Sequence, residues 1–463
     1  MSTLTQQMHD LGGLVRKQKN FFSEGHTLTA EFRINALSSL KEAIQNYESD
    51  ILEALHKDLR KSAFEAWATE IGIVYQEIDL HRRHLRSWMR GKRVPTNQLI
   101  HFWSTSRIEP QPYGQTLIIA PWNYPFQLVM MPLVGAVSAG NTAVIKPSEF
   151  TPTVAEVVEK IISMAFSDSH VKVVPGGPDV SKALLEEKWD IIFFTGSPRV
   201  GKIVYEAAAR HLTPVVLELG GKSPTIVTRH ANVEVSARRI IWGKLINAGQ
   251  TCIAPDYLLV HSAVKDRLVD RMKFYISKFY GNQIDKNPDY PAIVSRLHAE
   301  RIAGYIQMSK VIHGGKVDLE RRFIEPTIVE VSPEDPVMQE EIFGPVLPVM
   351  TFESLQNVIA FINERPKPLA LYIFSEDKEE QSEILTKTFS GSAAVNEVVM
   401  QVANEHLPFG GVGNSGMGNY HGKRSFECFS HERSVLYKST WIDIPLRYPP
   451  FGNKVNLIKK ILK

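Results

Sequence analysis

The sequence predicts an α/β protein of two doubly wound α/β domains, with a helical lead-in and a small β arm, and three observations carry that prediction. At 463 residues the chain is too long for one ordinary hydrophobic core, so two or more domains are expected. From Gly114 onward, short apolar runs alternate with windows of helical periodicity, and repeated strand, helix and strand means a parallel sheet with right-handed crossovers. The alternation comes in two series that meet near Gly220 and Gly221, whose missing side chains let the chain turn sharply between sheets.

Residues 1–93 carry helical spacing: Phe32, Ala36, Leu40 and Ala43 are followed by Ile51, Leu55 and Leu59 with few breakers. Residues 97–113 have strand character, and Pro110 and Pro112 mark an edge or an arm because proline cannot donate to a ladder. The first series then runs QTLIIAP, a helix over 126–139, TAVIKP, a helix over 154–165, VKVVPG, a helix over 180–188, DIIFFTG, a helix over 200–211, and PVVLELGG. The second runs TIVT, a helix over 233–248, YLLVH, a helix over 264–280, then PTIVEV, LPVMTF, LALYIFS and SAAVN. No internal repeat or low-complexity tract interrupts them.

Composition narrows the class. With 43% hydrophobic and 22% charged residues the chain is globular, and a formal charge of +3 suggests neither a general nucleic-acid binder nor strong steering of an acidic substrate. The basic run HRRHLRSWMRGKR, residues 81–93, reads as a solvated helix face, so no nucleic-acid partner is expected. Two cysteines, Cys252 and Cys428, cannot build a disulfide framework, which points to a reducing, cytoplasmic setting. The start MSTLTQQMHD lacks a signal pattern, and no stretch reaches the ~18 apolar residues of a membrane span. In the tail VNLIKKILK, Val455, Leu457, Ile458, Ile461 and Leu462 alternate with lysines. Weak docking of this tail on a membrane surface is conceivable, but packing on protein is favoured because nine residues bind a bilayer weakly.

Cys252 lies in NAGQTCIAP, between Gly249 and Pro255, and so on a tight turn; a lone cysteine is usually a small buried hydrophobe, and only context makes it a nucleophile. PWNYP supplies Asn123 between two prolines that hold its amide in one direction as a preorganised donor. In PVVLELGGKSP, Glu218 ends an apolar strand at the rim of a sheet, where a shielded carboxylate would have its pKa raised and act as a general base. Pairing with Lys222 is the competing reading. In DIIFFTGSPRVG a strand runs into Gly196, and Gly201 falls in the first turn of the next helix, so backbone amides there can face a pyrophosphate. The spacing lacks the middle glycine of GxGxxG and is weak by itself.

Taken in order, PWNYP (121–125), KPSE (146–149), FTGSPRVG (194–201), ELGGKSP (218–224), GQTC (249–252), EEIFGPV (340–346) and PFGGVGNSGMG (408–418) resemble the aldehyde dehydrogenase superfamily, over about 100–430. The later segment GVGNSGMGNYHGKRSFECFSH and RYPP are similar to the class 3 and fatty aldehyde branch. The resemblance implies Cys252 as nucleophile, Asn123 with the Cys252 backbone N–H as oxyanion hole, and Glu218 as the base that activates water against a thioester. It further implies Lys146 and Glu149 at the adenine ribose, Gly196, Ser197 and Gly201 at the pyrophosphate, and Glu341 and Phe343 at the nicotinamide ribose and ring. No metal site is assigned. In that branch the chain often continues into a membrane anchor, whereas this sequence ends at Lys463, so no spanning segment is expected.

The expectation is therefore NAD(P)-dependent oxidation of a medium- or long-chain aliphatic or an aromatic aldehyde to its acid. NAD is expected first and NADP also, since Glu149 suits a ribose 2′-OH while Lys146 favours a 2′-phosphate. The implied plan is an NAD(P)-binding domain at 1–94 and 114–219 and a catalytic domain at 220–424. An oligomerisation arm at 95–113 and 425–445 would make a homodimer, with a tail at 446–463. Two alternatives remain at this stage: coenzyme A acylation, in which a thiol and not water resolves the thioester, and a non-catalytic cofactor-binding protein.

Overall fold

A computed structural model describes residues 2–443 and 445–461; the tail residues Leu462 and Lys463 lie outside the described residues. The lead-in folds as helices Ser2–Ser23, Ala30–Asn46, Glu48–Leu59 and Gly72–Trp88, with a π turn at Trp67–Ile71. The second begins where Thr29, extended, accepts the Phe32 N–H at 3.2 Å and so satisfies an orphan amide. Its face Leu37, Leu40, Ala43 and Ile44 is fully buried, as the 3.6-residue spacing requires. Within the basic run, His81 turns inward to Ser138 and Glu77 while Arg82 and Arg86 pair with Asp79 and Glu31.

The first sheet has six strands in the order Gly416–Met417, Val215–Leu219, Ile191–Gly196, Gln115–Ile119, Thr142–Lys146 and Val171–Val173. All pairs are parallel except that of Gly416–Met417, which runs antiparallel along Val215–Leu219. Ladders covered on both faces need continuous apolar runs, and Gln115–Ile119 and Thr142–Lys146 are buried throughout. The second sheet has seven strands in the order Lys310–His313, Thr327–Glu330, Val346–Phe352, Tyr257–His261, Pro224–Val227, Ala370–Phe374 and Ser392–Val395, parallel but for the first.

The chain leaves the first sheet at Leu219 and enters the second at Pro224. The glycines between leave room for close neighbours. Neither Gly220 nor Gly221 has a positive φ; a Cβ at 220 would collide with the Glu341 carboxylate, and one at 221 would come within 3.3 Å of Pro368 Cα. Gly416–Met417 returns to the first sheet from within the stretch 220–424 that the sequence reads as one unit, so the two units interlock along the chain.

A third, antiparallel sheet joins Lys92–Val94, Ser104–Pro112 and Ser430–Lys438. Lys92–Val94 pairs only as far as Ile108, so Pro110 and Pro112 fall where the central strand has become an edge and owes no N–H on that side. The tail forms helix Lys454–Ile461, with Val455 and Ile458 exposed. Among the described residues no helix is long and apolar enough to cross a membrane.

Candidate active site

Helix Val233–Leu245 stops short of the 248 expected from its periodicity because the backbone inverts: Asn247 and Ala248 both have φ 51° and Gly249 has φ 77°. Two non-glycine residues in the left-handed region cost about 1–2 kcal/mol each, and such strain survives only where neighbours over-determine it. Here they do. Asn247 donates its N–H to Glu65 at 2.8 Å and its side-chain amide to the Asn123 carbonyl at 2.7 Å. Gln250 donates to the carbonyls of Asn247 and Ala292, both at 3.0 Å, and accepts the Val294 N–H at 2.9 Å. Gly249 packs on the Gly344 backbone, where a side chain would collide. Beyond the cysteine, the Tyr372 hydroxyl donates to the Ile253 carbonyl at 2.5 Å. Cys252 thus sits, half-buried, on a turn gripped from both sides.

Cys252, Asn123 and Glu218 line one cavity of about 980 Å³. Asn123 is 3% exposed and gives one amide hydrogen to the Gln250 carbonyl at 3.1 Å, leaving the other for a ligand. Glu218 is 2% exposed, and neither carboxylate oxygen has a hydrogen-bond partner among the described residues. Lys222 does not neutralise it, because the ammonium is committed to Asp256 at 2.5 Å and to the carbonyls of Val337 and Glu340. Burial alone therefore drives the Glu218 carboxyl well above the usual carboxylate range. Burial also pushes the Cys252 thiol up, reinforced by the Glu341 and Glu218 carboxylates and opposed by the N–H groups of Cys252 and Ile253. Burial and the two carboxylates thus favour the thiol over the thiolate.

The same cavity runs to the start of helix Pro198–Ala209, past Thr195, Gly196 and Ser197. Ser197 caps that helix by accepting the Val200 N–H at 3.4 Å. Gly201 does not present its amide to a ligand: that N–H donates to Ser197 O at 2.9 Å, and a Cβ there would lie 2.7 Å from Leu219 Cδ2. Its smallness seats the helix on the strand that carries Glu218.

Glu341 lies over Gly220 and is pushed up to about 8 by burial and the Asp256 charge. Phe343, with φ 51°, meets Trp122 edge-on at 5.2 Å on the cavity wall. Lys146 ends its strand and pairs with Glu149 at 2.6 Å, outside the lining of this cavity. Sequence reasoning missed His298, which packs on Trp122 at 5.0 Å, and Arg301, which donates to the Ile342 carbonyl at 2.7 Å. No motif brackets either.

A dinucleotide fits the residues present. The cavity has the volume of a ligand site, opens on a helix N-terminus, and contains buried polar atoms without partners, Thr195 Oγ1 and both Glu218 oxygens, that an apolar occupant would leave unsatisfied.

Residues 6–435 match a family model described as the aldehyde dehydrogenase family. The chain is 47% identical, over the whole of both chains, to 4,4′-diaponeurosporen-aldehyde dehydrogenase of Staphylococcus aureus. It is 44% identical to aldehyde dehydrogenase family 3 member B1 of Homo sapiens, over 96% of this chain and 95% of that one. The solved substrate-bound state of Staphylococcus aureus AldH superposes with a TM-score of 0.96 at 47% identity, covering 98% of this chain and 99% of its own.

Proposed function

Because the chain belongs to the aldehyde dehydrogenase family, we propose that it converts aldehydes to carboxylates through a thioester on Cys252 that water hydrolyses. It is an oxidoreductase of the class 3 branch that acts on aldehydes, and its cofactor is NAD(P). The observation that carries the assignment of roles is the convergence of a thiol, a half-free amide and an unpartnered carboxylate on one cavity.

Cys252 Sγ bonds to the aldehyde carbon and releases its proton to solvent water, while the C=O π bond breaks and the carbonyl oxygen, becoming an oxyanion, accepts from the free Asn123 amide hydrogen and the Cys252 backbone N–H. NAD(P), when bound, supplies the acceptor for the hydride that leaves this carbon. Gly196 and Ser197 would hold its phosphates, Lys146 and Glu149 its adenine ribose, and Glu341 and Phe343 its nicotinamide end, with Gly201 supporting the helix behind. Glu218 then takes a proton from water; the hydroxide adds to the acyl carbon, the C–S bond breaks to release the acid, and the proton held by Glu218 returns to the departing sulfur, restoring both the thiol and the carboxylate. A base that exists to activate water has no use in thiolysis, so coenzyme A acylation is not favoured.

NAD is proposed first with NADP also used, on the strength of the Lys146–Glu149 pair. Medium- or long-chain aliphatic or aromatic aldehydes are the proposed substrates, and one relative is named for 4,4′-diaponeurosporen-aldehyde. The first sheet with its helical lead-in is assigned to the cofactor and the second to catalysis. The three-stranded arm is assigned to a homodimer, and the setting is cytoplasmic. A panel of short, long and aromatic aldehydes with each cofactor tests the activity by growth of reduced-nicotinamide absorbance. Silence across the panel would overturn it, and light scattering at the monomer mass would overturn the dimer.

A further inference from the structure

Against the Asn123 loop, among residues that do not line the cavity, lies a buried ion pair that the proposed chemistry does not use. Lys61 and Glu70 are 0% exposed, and Lys61 Nζ meets Glu70 Oε1 at 2.5 Å. A buried pair of this kind adds little to stability, since desolvation consumes most of the attraction. Its contacts suggest another reason for it. Lys61 Nζ also donates to the Asn123 carbonyl at 3.1 Å and stands 4.0 Å over the Tyr124 ring, whose hydroxyl bonds to Thr251 at 2.6 Å, one residue before Cys252. The second Glu70 oxygen accepts the N–H groups of Phe126 at 2.9 Å and Gln127 at 3.2 Å, at the start of helix Gln127–Ala139. The pair therefore grips PWNYP at Asn123 on one side and just beyond Pro125 on the other.

The geometry points to Lys61 and Glu70 as positioning residues that fix the direction of the Asn123 amide toward the reacting carbonyl oxygen. Neither touches the cavity, so they act through Asn123. The lead-in that carries them is thus a working part of the site, reaching 62 residues along the chain from Lys61 to Asn123. The assignment rests on Asn123 being the oxyanion donor, as proposed above. Loss of one such donor costs about 100- to 1000-fold in kcat, and a displacement near 1 Å can cost about 100-fold.

The test is a mutant cycle on the full chain, read as kcat and as KM for cofactor and aldehyde. Lys61→Met should lower kcat about 10- to 100-fold and leave the cofactor KM within about 2-fold. Asn123→Ala should lower kcat about 100- to 1000-fold, and Lys61→Met/Asn123→Ala should stay within about 2-fold of Asn123→Ala alone. Because Lys61→Met strands a buried carboxylate, Lys61→Met/Glu70→Gln, which removes both charges, enters the same cycle and replaces it if the single variant does not fold. Losses that multiply with Asn123→Ala, or a wild-type kcat in the Lys61 variants, would overturn the positioning role. A wild-type kcat in Asn123→Ala would instead overturn Asn123 as the donor, and the positioning role with it.

Discussion

Glu218→Gln gives the sharpest test, because it keeps the shape of the side chain and removes only its ability to ionise. Both oxygens of Glu218 lack partners and burial raises its pKa well above 4.5, so two separate readouts follow. The first is kinetic. If Glu218 takes the proton from the attacking water, its loss should slow deacylation by about 100- to 10,000-fold, the usual worth of a general base. Stopped-flow mixing with aldehyde and cofactor should then show about one reduced nicotinamide formed per Cys252, followed by almost no turnover. The wild-type rate should fall on the acid side through a pKa above the ordinary carboxylate range. The second readout is stability. A carboxyl whose folded pKa is raised holds its proton after the unfolded chain has lost it, so the folded state loses stability as pH climbs above about 4.5. Each unit by which the folded pKa exceeds about 4.5 is worth about 1.4 kcal/mol, so the neutral amide should be more stable than wild type by at least about 1.4 kcal/mol near pH 8 and by nothing near pH 4. Calorimetry at the two pH values measures it. A Glu218→Gln protein that turns over at the wild-type rate without a burst would refute the base, and one that is less stable near pH 8 would refute the burial argument.

Three further outcomes are expected. Iodoacetamide should alkylate Cys252 slowly near pH 7 in the cofactor-free protein, with a rate still rising above about pH 9, because burial, Glu341 and Glu218 all raise the thiol; Glu341→Gln should speed the reaction, and an inflection below about pH 7.5 would contradict this. Glu149→Gln removes a charge that repels a 2′-phosphate and frees Lys146 from its 2.6 Å partner, so KM for NADP should fall about 5- to 10-fold relative to NAD, as steady-state assays with both cofactors would register. Gly201→Val would drive a side chain into Leu219 and should cost about 1–3 kcal/mol in thermal denaturation, with Gly201→Ala falling between it and the wild type.

Much of the architecture was legible because it is written in local periodicity. QTLIIAP, TAVIKP, VKVVPG, DIIFFTG and PVVLELGG read as buried parallel strands, and they are neighbours in one sheet since a fully covered ladder has no other way to be made. Gly416–Met417 was not legible: two residues in a glycine-rich stretch carry no period, and their place beside Val215–Leu219 is a matter of long-range docking. The same division runs through the site. Residue types along the chain nominate Cys252, Asn123 and Glu218, because a thiol on a turn, an amide between prolines and a carboxylate at a strand end are properties of a few consecutive residues. Three features belong to the tertiary structure alone. The left-handed run at Asn247, Ala248 and Gly249 is held by Glu65 and Gln250. Gly201 is small because Leu219 lies against it. Lys61, in the loop after helix Glu48–Leu59, and Glu70, in the π turn Trp67–Ile71, brace Asn123 from a stretch with no motif of its own. Spacing in the sequence sets which groups can do chemistry, whereas pKa, strain and aim depend on neighbours brought together through space, and only the folded chain supplies those.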